Sequence, residues 1–307
     1  MTSTRTRGLA LAAVTATISG VAIYVNANGV AAYGDATAYT TAKNAASALV
    51  IALAFVLARR AKGAGAVSLT RPSRPGHWWG LIVVAVLGGA VPFVLFFEGL
   101  ASTASTQAAF LHKTQLVWVA VLAVLLLKEK LTWWHGAAIA LLIVAQLGLA
   151  GDVRIIADVG TALIAAATLM WAVEVAITKR LLRDMSAWTL SLTRMAGGSL
   201  ALLAWSAMTG SLGTVVPSTA TQWGWVAVTG VLLAGYVLSW HEALTRAQAV
   251  DVTAVLSLGA LVTAALAGAF DAVPLSAQAP WLVMIAAGTV MVWIAPQLSL
   301  RGRRAVT

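Results

Sequence analysis

Residues 105–131 read STQAAFLHKTQLVWVAVLAVLLLKEKL, a long apolar run that ends in the basic sequence Lys128-Glu129-Lys130. The apolar part is close to the roughly 20 residues that an α-helix needs to cross a bilayer core of about 30 Å. Basic residues that directly follow such a run favour a cytoplasmic position for that end, because cytoplasmic loops carry an excess of Lys and Arg. One lysine, Lys113, lies inside the run. The stretch therefore predicts a membrane-crossing helix that carries a charge within it.

Nine further apolar segments of similar length accompany this one. The predicted spans are residues 8–26, 37–58, 79–99, 105–127, 133–150, 159–178, 187–209, 222–241, 250–270 and 280–299. The first end and every second connection carry sixteen of the twenty Lys and Arg residues, whereas the opposite connections carry Arg154 alone. The positive-inside rule then predicts an all-α protein of the plasma membrane with ten transmembrane helices and both termini in the cytoplasm.

Composition excludes several classes of protein. A chain that is 60% hydrophobic and 10% charged has too little polar surface for a water-soluble globule. The net charge of +10 would suggest nucleic acid in a soluble protein, but here it is explained by topology and by anionic lipid at the cytoplasmic face. The chain has no cysteine, no metal-ligand spacing among its histidines and no GxxxxGK[ST] phosphate loop. We therefore predict no catalytic residue, no metal, no cofactor and no nucleic-acid partner.

A weak internal repeat divides the chain into halves of five spans. Phe97-Glu98-Gly99-Leu100 aligns with His241-Glu242-Ala243-Leu244, and Lys43 aligns with Arg194. An odd number of spans makes the second half enter the membrane from the opposite side, so the predicted domains, residues 1–151 and 152–307, are inverted repeats. Inverted repeats are typical of secondary transporters, whose substrate site lies at the repeat interface near the bilayer midplane.

The whole chain resembles the EamA-type drug/metabolite transporters, which are built as two five-helix units. The resemblance rests on the span count, on Lys128-Glu129-Lys130-Leu131 after the fourth span, and on the early intramembrane cations Lys43 and Arg194. The motif Ala-Ala-Phe-Leu-His-Lys-Thr at residues 108–114 is similar to that of one subgroup. Many relatives have a proline in the middle of spans four and nine, where this chain has none. The resemblance implies export of a small metabolite.

Lys113 is the first candidate for substrate binding. An ionisable residue at the centre of a span costs about 2.5–3.5 kcal/mol on insertion scales, so it calls for a partner or a watery cavity. Lys113 lies too deep to reach the interface easily, and it shares a helical face with Phe110 while Thr114 flanks it. We predict a clamp for a carboxylate or phosphate, with Trp171 and Ser257 as further contacts. The alternative is a packing salt bridge from Lys113 to Glu98 or Glu174.

Glu174 is the candidate proton carrier, because a carboxyl group deep in a membrane protein gains and loses a proton easily in response to its partners. We expect it to face the polar side of the first span. Pairing with Arg194 is the structural alternative.

The remaining intramembrane residues are assigned to gating and bending. Symmetry gives Lys43 and Arg194 a shared role in gates or ion pairs, with Glu98 and Glu242 as their partners. Gly88, Gly89 and Pro92 predict a hinge in span three, since proline removes a backbone hydrogen bond. Gly230 and Gly235 mark span eight, where ordinary glycine packing is the alternative.

Together these features predict a secondary transporter, as a monomer or a homodimer, that exports a small metabolite by alternating access. The balance of deep charges suits an amino acid-like zwitterion or an organic anion, with coupling to protons. The alternatives are a channel or facilitator, and an intramembrane enzyme that handles lipid.

Overall fold

A computed structural model describes residues 3–63, 65, 67–102, 105–151, 158–271 and 274–304, which form helices joined by short connections. Arg154 lies outside the described residues. The helices are α1 Ser3–Tyr33, α2 Ala36–Lys62, α3 Pro75–Val83, α4 Val91–Ser102, α5 Ser105–Lys113, α6 Gln115–Leu127, α7 Trp133–Ala150, α8 Val159–Leu181, α9 Ala187–Leu192, α10 Gly198–Met208, α11 Leu212–Val215, α12 Ala220–Arg246, α13 Ala249–Leu256, α14 Gly259–Phe270 and α15 Ala279–Arg304.

Eight helical segments of the described chain are long and apolar enough to cross a membrane. They correspond to predicted spans one to six, eight and nine. Predicted span seven is formed by α9, a π-turn at Thr193–Gly197 and α10, where Arg194 and a run of Ser, Thr and Gly reduce the hydropathy. Predicted span ten lies in α15, whose apolar part is the shorter helix Ala279–Ala295. The chain is therefore a multi-pass membrane protein.

Local signals set where several helices begin and end. The Asp35 side chain accepts hydrogen bonds from the amides of Thr37 and Ala38, both at 2.9 Å, and so caps α2. Asp158 caps α8 in the same way through the amide of Thr161 at 2.7 Å, and this bond lowers the pKa of the Asp158 carboxyl. Gly151, which follows α7, has a φ of 69°, a conformation that glycine adopts without strain.

Helix packing follows a two-fold relation between the halves. The first helix of the first half, α1, lies along α12 of the second half, and α8 of the second half lies along α4 of the first. Each contact is close at a glycine. A Cβ on Gly8 would lie 3.0 Å from the Cβ of Ala247, and a Cβ on Gly99 would lie 2.7 Å from the carbonyl oxygen of Gly160. The first helix of each half thus packs against the third span of the other half across one interface.

The helix ends that carry Arg5, Lys130, Lys179 and Arg246 define what we call the basic end of the bundle. Next to it lies an apolar layer contributed by α1, α6, α8, α12 and α13, which we call the basic-end seal. Its fully or almost fully buried members are Leu9, Ala12, Val119, Ala120, Ala123, Leu127, Ala172, Val175, Trp240, Ala243, Leu244, Ala247, Ala249, Val250, Val252 and Val255. Both halves contribute to this layer, so it joins them.

Candidate functional site

Spans four and nine, which correspond under the repeat, are both interrupted near their middles. Span four ends α5 at Lys113 and starts α6 at Gln115, and span nine ends α13 at Leu256 and starts α14 at Gly259. No proline is present at either break. The Thr114 amide bonds to the carbonyl oxygen of Leu111 at 3.1 Å, and the amide of Ser257 bonds to that of Ala254 at 3.1 Å. The i to i−3 bond at Thr114 accompanies the regular bond to the carbonyl oxygen of Phe110 at 3.2 Å, so each break is a tightened turn within a continuing helical path.

A cavity of about 50 Å³ lies at the two breaks. The residues that line it come from both halves: His112, Lys113, Gln115, Leu116, Thr253, Leu256 and Ser257. The structure therefore brings Lys113 and Ser257, two of the predicted substrate contacts, to the same place. Broken helices in corresponding positions of two repeats are a common way to build a binding site in transporters.

Lys113 has no partner in the described part of the chain. It forms neither an ion pair nor a hydrogen bond there, so the predicted alternative, a salt bridge to Glu98 or Glu174, is not formed in this structure. The neighbouring His112 also has a buried Nδ1 atom without a hydrogen-bond partner among the described residues. A half-buried ammonium group and a buried imidazole nitrogen without a partner, both at one cavity, offer a site for an anionic, hydrogen-bonding ligand.

Aromatic rings pack behind His112, which lines this cavity. The Trp171 ring packs 5.0 Å from the imidazole of His112, and 5.3 Å and 5.7 Å from the rings of Phe93 and Phe96. Trp171 thus lies behind His112 and does not line the cavity itself. The other two predicted contacts also play indirect parts, because the Thr114 hydroxyl donates to the carbonyl of Leu111 at 2.6 Å, and Phe110 is one turn earlier on α5.

Glu174 is paired with Arg194. The carboxylate is 1% exposed, its Oε2 lies 3.5 Å from Nη1 of Arg194, and its Oε1 accepts a hydrogen bond from Thr178 at 2.6 Å. The ion pair is long, and Oε2 accepts no hydrogen bond within the described structure. Gly88 makes room for the pair, since a Cβ there would lie 3.0 Å from Cγ of Glu174. Glu174 therefore faces the middle of span three and Arg194, where we had expected the polar side of α1.

Lys43 occupies the related position in the first half but has a different partner. Its Nζ lies 3.3 Å from Oδ1 of Asn26 and 5.1 Å from the centre of the Tyr39 ring. The Tyr39 hydroxyl lies 2.8 Å from both Asn26 and Thr229, which ties α1, α2 and α12 together. The first half thus places an amide where the second half has a carboxylate, and Lys43 forms no ion pair among the described residues.

The two acids predicted to pair with Lys43 and Arg194 have other surroundings in this structure. Glu242 pairs with Arg246, which is one turn later on the same helix. Glu98 is exposed at the end of the bundle opposite the basic end, and it forms no ion pair with described residues. The predicted pairs of these acids with Lys43 and Arg194 are therefore not formed in this structure, because Arg246 lies within reach of Glu242 and Glu174 holds Arg194.

The predicted hinge coincides with a real interruption of span three. A π-turn occupies Val84–Gly88, and regular helix resumes at Val91. A second π-turn, Thr193–Gly197, packs against it. A Cβ on Gly89 would lie 2.2 Å from the carbonyl oxygen of Arg194 and 2.7 Å from Cα of Gly198, so the backbones are in direct contact. In span eight, by contrast, α12 is continuous, and Gly230 serves close packing against Ala46.

Sequence reasoning missed a charged network at the basic end. Asp251 is completely buried at the start of α13, and its Oδ2 accepts bonds from Nε and Nη2 of Arg5 at 3.0 and 2.9 Å. Its Oδ1 lies 3.2 Å from Nε2 of His135. The imidazole Nδ1 accepts a hydrogen bond from the Thr132 amide at 3.0 Å, whereas Nε2 and Oδ1 form no hydrogen bond within the described residues. The sequence feature that could have indicated this network is an acid, Asp251, at the start of an apolar span, together with a basic residue, Arg5, at the start of the first helix.

Glu129, in the Lys128-Glu129-Lys130 motif, links the connection after α6 to the start of α13 at the basic end. Its carboxylate accepts hydrogen bonds from the amides of Ala249 at 2.8 Å and Val250 at 3.4 Å, at the start of α13. Burial raises the pKa of the Glu129 carboxyl, and these two amides act in the opposite direction. The acid of the motif therefore caps a helix of the other half.

Comparisons with known proteins give one family and one fold. The EamA-like transporter family matches residues 6–150 and, a second time, residues 158–294. A crystal structure of another protein superimposes with a TM-score of 0.69 at 18% identity, over 96% of this chain and 99% of that chain. At that identity the likeness shows the fold alone. No curated protein matches the sequence significantly.

Proposed function

Because the chain belongs to the EamA-like transporter family, we propose that it is a secondary transporter that exports a small metabolite by alternating access. The metabolite carries a carboxylate or a related anionic group, as an amino acid-like zwitterion or an organic anion. The chain crosses the plasma membrane ten times, with span seven formed by α9 and α10 and span ten by α15. Its basic end and both termini face the cytoplasm.

The observation that carries this proposal is the cavity at the paired helix breaks. It lies at the interface of the two repeats, and it holds an ammonium group, that of Lys113, without a counter-ion in the described chain. A cargo carboxylate would supply that counter-ion. The Ser257 hydroxyl and His112 Nδ1 would complete its hydrogen bonds.

Proton coupling is assigned to Glu174. The long contact between Glu174 and Arg194 is one that protonation of the carboxylate weakens, because the neutral acid no longer attracts the guanidinium. The pair lies against both π-turns, and Gly88 and Gly89 allow the helices there to approach closely. Loss of the pair would free Arg194 and let span three bend at Pro92. Lys43, Glu98 and Glu242 are assigned to gates in the opposite state of the cycle.

The experiment that tests the proposal compares metabolites released by cells that overexpress or lack the protein. The compound enriched by overexpression is then measured with Lys113→Ala and with the matched control Lys128→Ala, which removes a lysine from an exposed loop. Loss of a charge-assisted hydrogen bond of about 1.5–3 kcal/mol lowers affinity roughly 10- to 100-fold. We expect that loss in Lys113→Ala only, at equal membrane abundance. Export at the wild-type rate by Lys113→Ala would refute the site.

A further inference from the structure

A cavity of about 450 Å³ lies at the basic end. We call it the basic vestibule. It is lined by five residues of the first half and five of the second: Arg5, Glu129, Lys130, Thr132, His135, Lys179, Thr245, Arg246, Ala247 and Gln248. It therefore opens at the repeat interface, on the side of the basic-end seal opposite the central cavity.

Two cations of the vestibule are available for an anion. Arg5 is engaged by Asp251, and Arg246 is engaged by Glu242. Lys130 is exposed and, like Lys179, forms no ion pair within the described residues. The Lys179 ammonium group instead donates to the carbonyl oxygens of Leu244 at 2.5 Å and Ala247 at 2.6 Å. An anion between Lys130 and Lys179 would gain two positive partners, with the Glu129 carboxylate of the same vestibule as the opposing charge.

The vestibule and the central cavity lie at the two ends of the same pair of helices. The central cavity meets α6 at Gln115 and α13 at Leu256, and the vestibule lies beyond the other end of each helix. The eight residues of α13 span about 12 Å at 1.5 Å per residue. The layer between the two cavities is the basic-end seal. A solute that passed from one cavity to the other would have to part this layer.

We propose that the basic vestibule is the loading site for the anionic group of the cargo, a carboxylate or phosphate bound between Lys130 and Lys179. The identification of the bound anion as part of the transported solute rests on the proposed function, whereas the anion site itself does not. Binding also acts on the seal. An anion that binds the Lys179 ammonium group draws it away from the carbonyl oxygens at the end of α12. The same anion competes with the Asp251 carboxylate for the Arg5 guanidinium. Loading thereby loosens the ties that close the seal.

The test uses the absence of cysteine from the chain. A single Gln248→Cys is placed in the vestibule, and Ser218→Cys, at an exposed position near the opposite end, is the control. The purified full-length protein in phosphatidylcholine nanodiscs is alkylated with N-ethylmaleimide, with and without inorganic phosphate at constant ionic strength. At a phosphate concentration of roughly ten times Kd, alkylation of Gln248→Cys should slow about tenfold by occupancy. Ser218→Cys should be unaffected.

A comparison of two lysine substitutions tests whether phosphate protects Gln248→Cys by binding in the vestibule. Lys130→Gln in the Gln248→Cys background should weaken protection about tenfold, whereas Lys128→Gln, which does not line the vestibule, should leave it unchanged. Absence of protection, or an equal loss in both variants, overturns the proposal. Protection that requires phosphatidylglycerol and no phosphate identifies a lipid-headgroup site and overturns the loading role.

An export assay separates this inference from the proposed function. Lys130→Gln should raise the KM for the exported metabolite and leave kcat unchanged, because it acts on loading and not on the central site. An unchanged KM refutes loading. If phosphate protects Gln248→Cys while Lys113→Ala exports normally, the central site is wrong and the vestibule stands.

Discussion

At the scale of single residues, the two halves treat their deep cations differently. Arg194 is held by the Glu174 carboxylate, whereas Lys43 is held by the neutral amide of Asn26. Composition and depth in a span were enough to find these residues and Lys113, because a charge in an apolar run is conspicuous. Their partners could not be predicted in the same way. Arg5 and Asp251 are separated by 246 positions, and only the packing of α1 on α13 brings them together.

Glu174→Gln tests proton coupling. The amide keeps the size of the side chain and the bond from Thr178, but it has no charge with which to hold Arg194. We expect counterflow of the exported metabolite to persist in proteoliposomes, while accumulation driven by a pH gradient falls to the level set by facilitated diffusion. Full pH-driven accumulation in this variant would exclude Glu174 as the proton carrier and direct attention to Glu98 or Glu242.

At the scale of helices, the breaks in spans four and nine form the central cavity, and the π-turns in spans three and seven lie at the Glu174–Arg194 pair. The break in span three was predictable, because Gly88, Gly89 and Pro92 are helix-breaking residues. The breaks at Thr114 and Ser257 were not, because neither position carries proline and a hydroxyl residue is common in regular membrane helices. What stabilises the first break is a side-chain bond from Thr114 to the backbone of its own helix, which sequence alone does not specify.

Gly89→Ala tests the contact between the two π-turns. The added methyl group would lie 2.2 Å from the carbonyl oxygen of Arg194, and only a backbone shift relieves that clash. Overpacking of this kind costs about 1–3 kcal/mol, so Tm should fall by several degrees and transport should be impaired. Gly224→Ala is the matched control, since its Cβ would have open space, and its Tm should hold or rise slightly. Equal Tm values for both variants would contradict the proposed close contact.

At the scale of the whole molecule, the sequence predicted the helical class, the family and eight of the apolar helices that the structure describes. Charge distribution and span length carry this information, because both are set by the bilayer and not by detailed packing. The boundaries of spans seven and ten were harder to fix. Arg194 lies inside span seven, and span ten extends into a basic segment, so neither is a continuous apolar run.

Topology is tested by single cysteines in this cysteine-free chain. Gly65→Cys lies in the longest basic connection, and Ser218→Cys lies in a connection without Lys or Arg. In intact cells an impermeant thiol reagent should label Ser218→Cys and spare Gly65→Cys until the membrane is permeabilised, because the basic end faces the cytoplasm. Labelling of Gly65→Cys from outside would invert the orientation that we propose.

Alternating access at the repeat interface is most directly tested by a reversible lock across the basic-end seal. Gly8 and Ala247 belong to different halves, and their Cβ atoms would be 3.0 Å apart, so a backbone shift of about 0.5 Å brings them into the roughly 3.5–4.5 Å range of a disulfide. In proteoliposomes, oxidised Gly8→Cys/Ala247→Cys should lose counterflow of the exported metabolite, and reduction should restore it to the rate of the reduced protein, while oxidation should leave the rate of each single variant unchanged. Undiminished counterflow with the disulfide fully formed would show that the halves do not separate at this end, and would contradict the account.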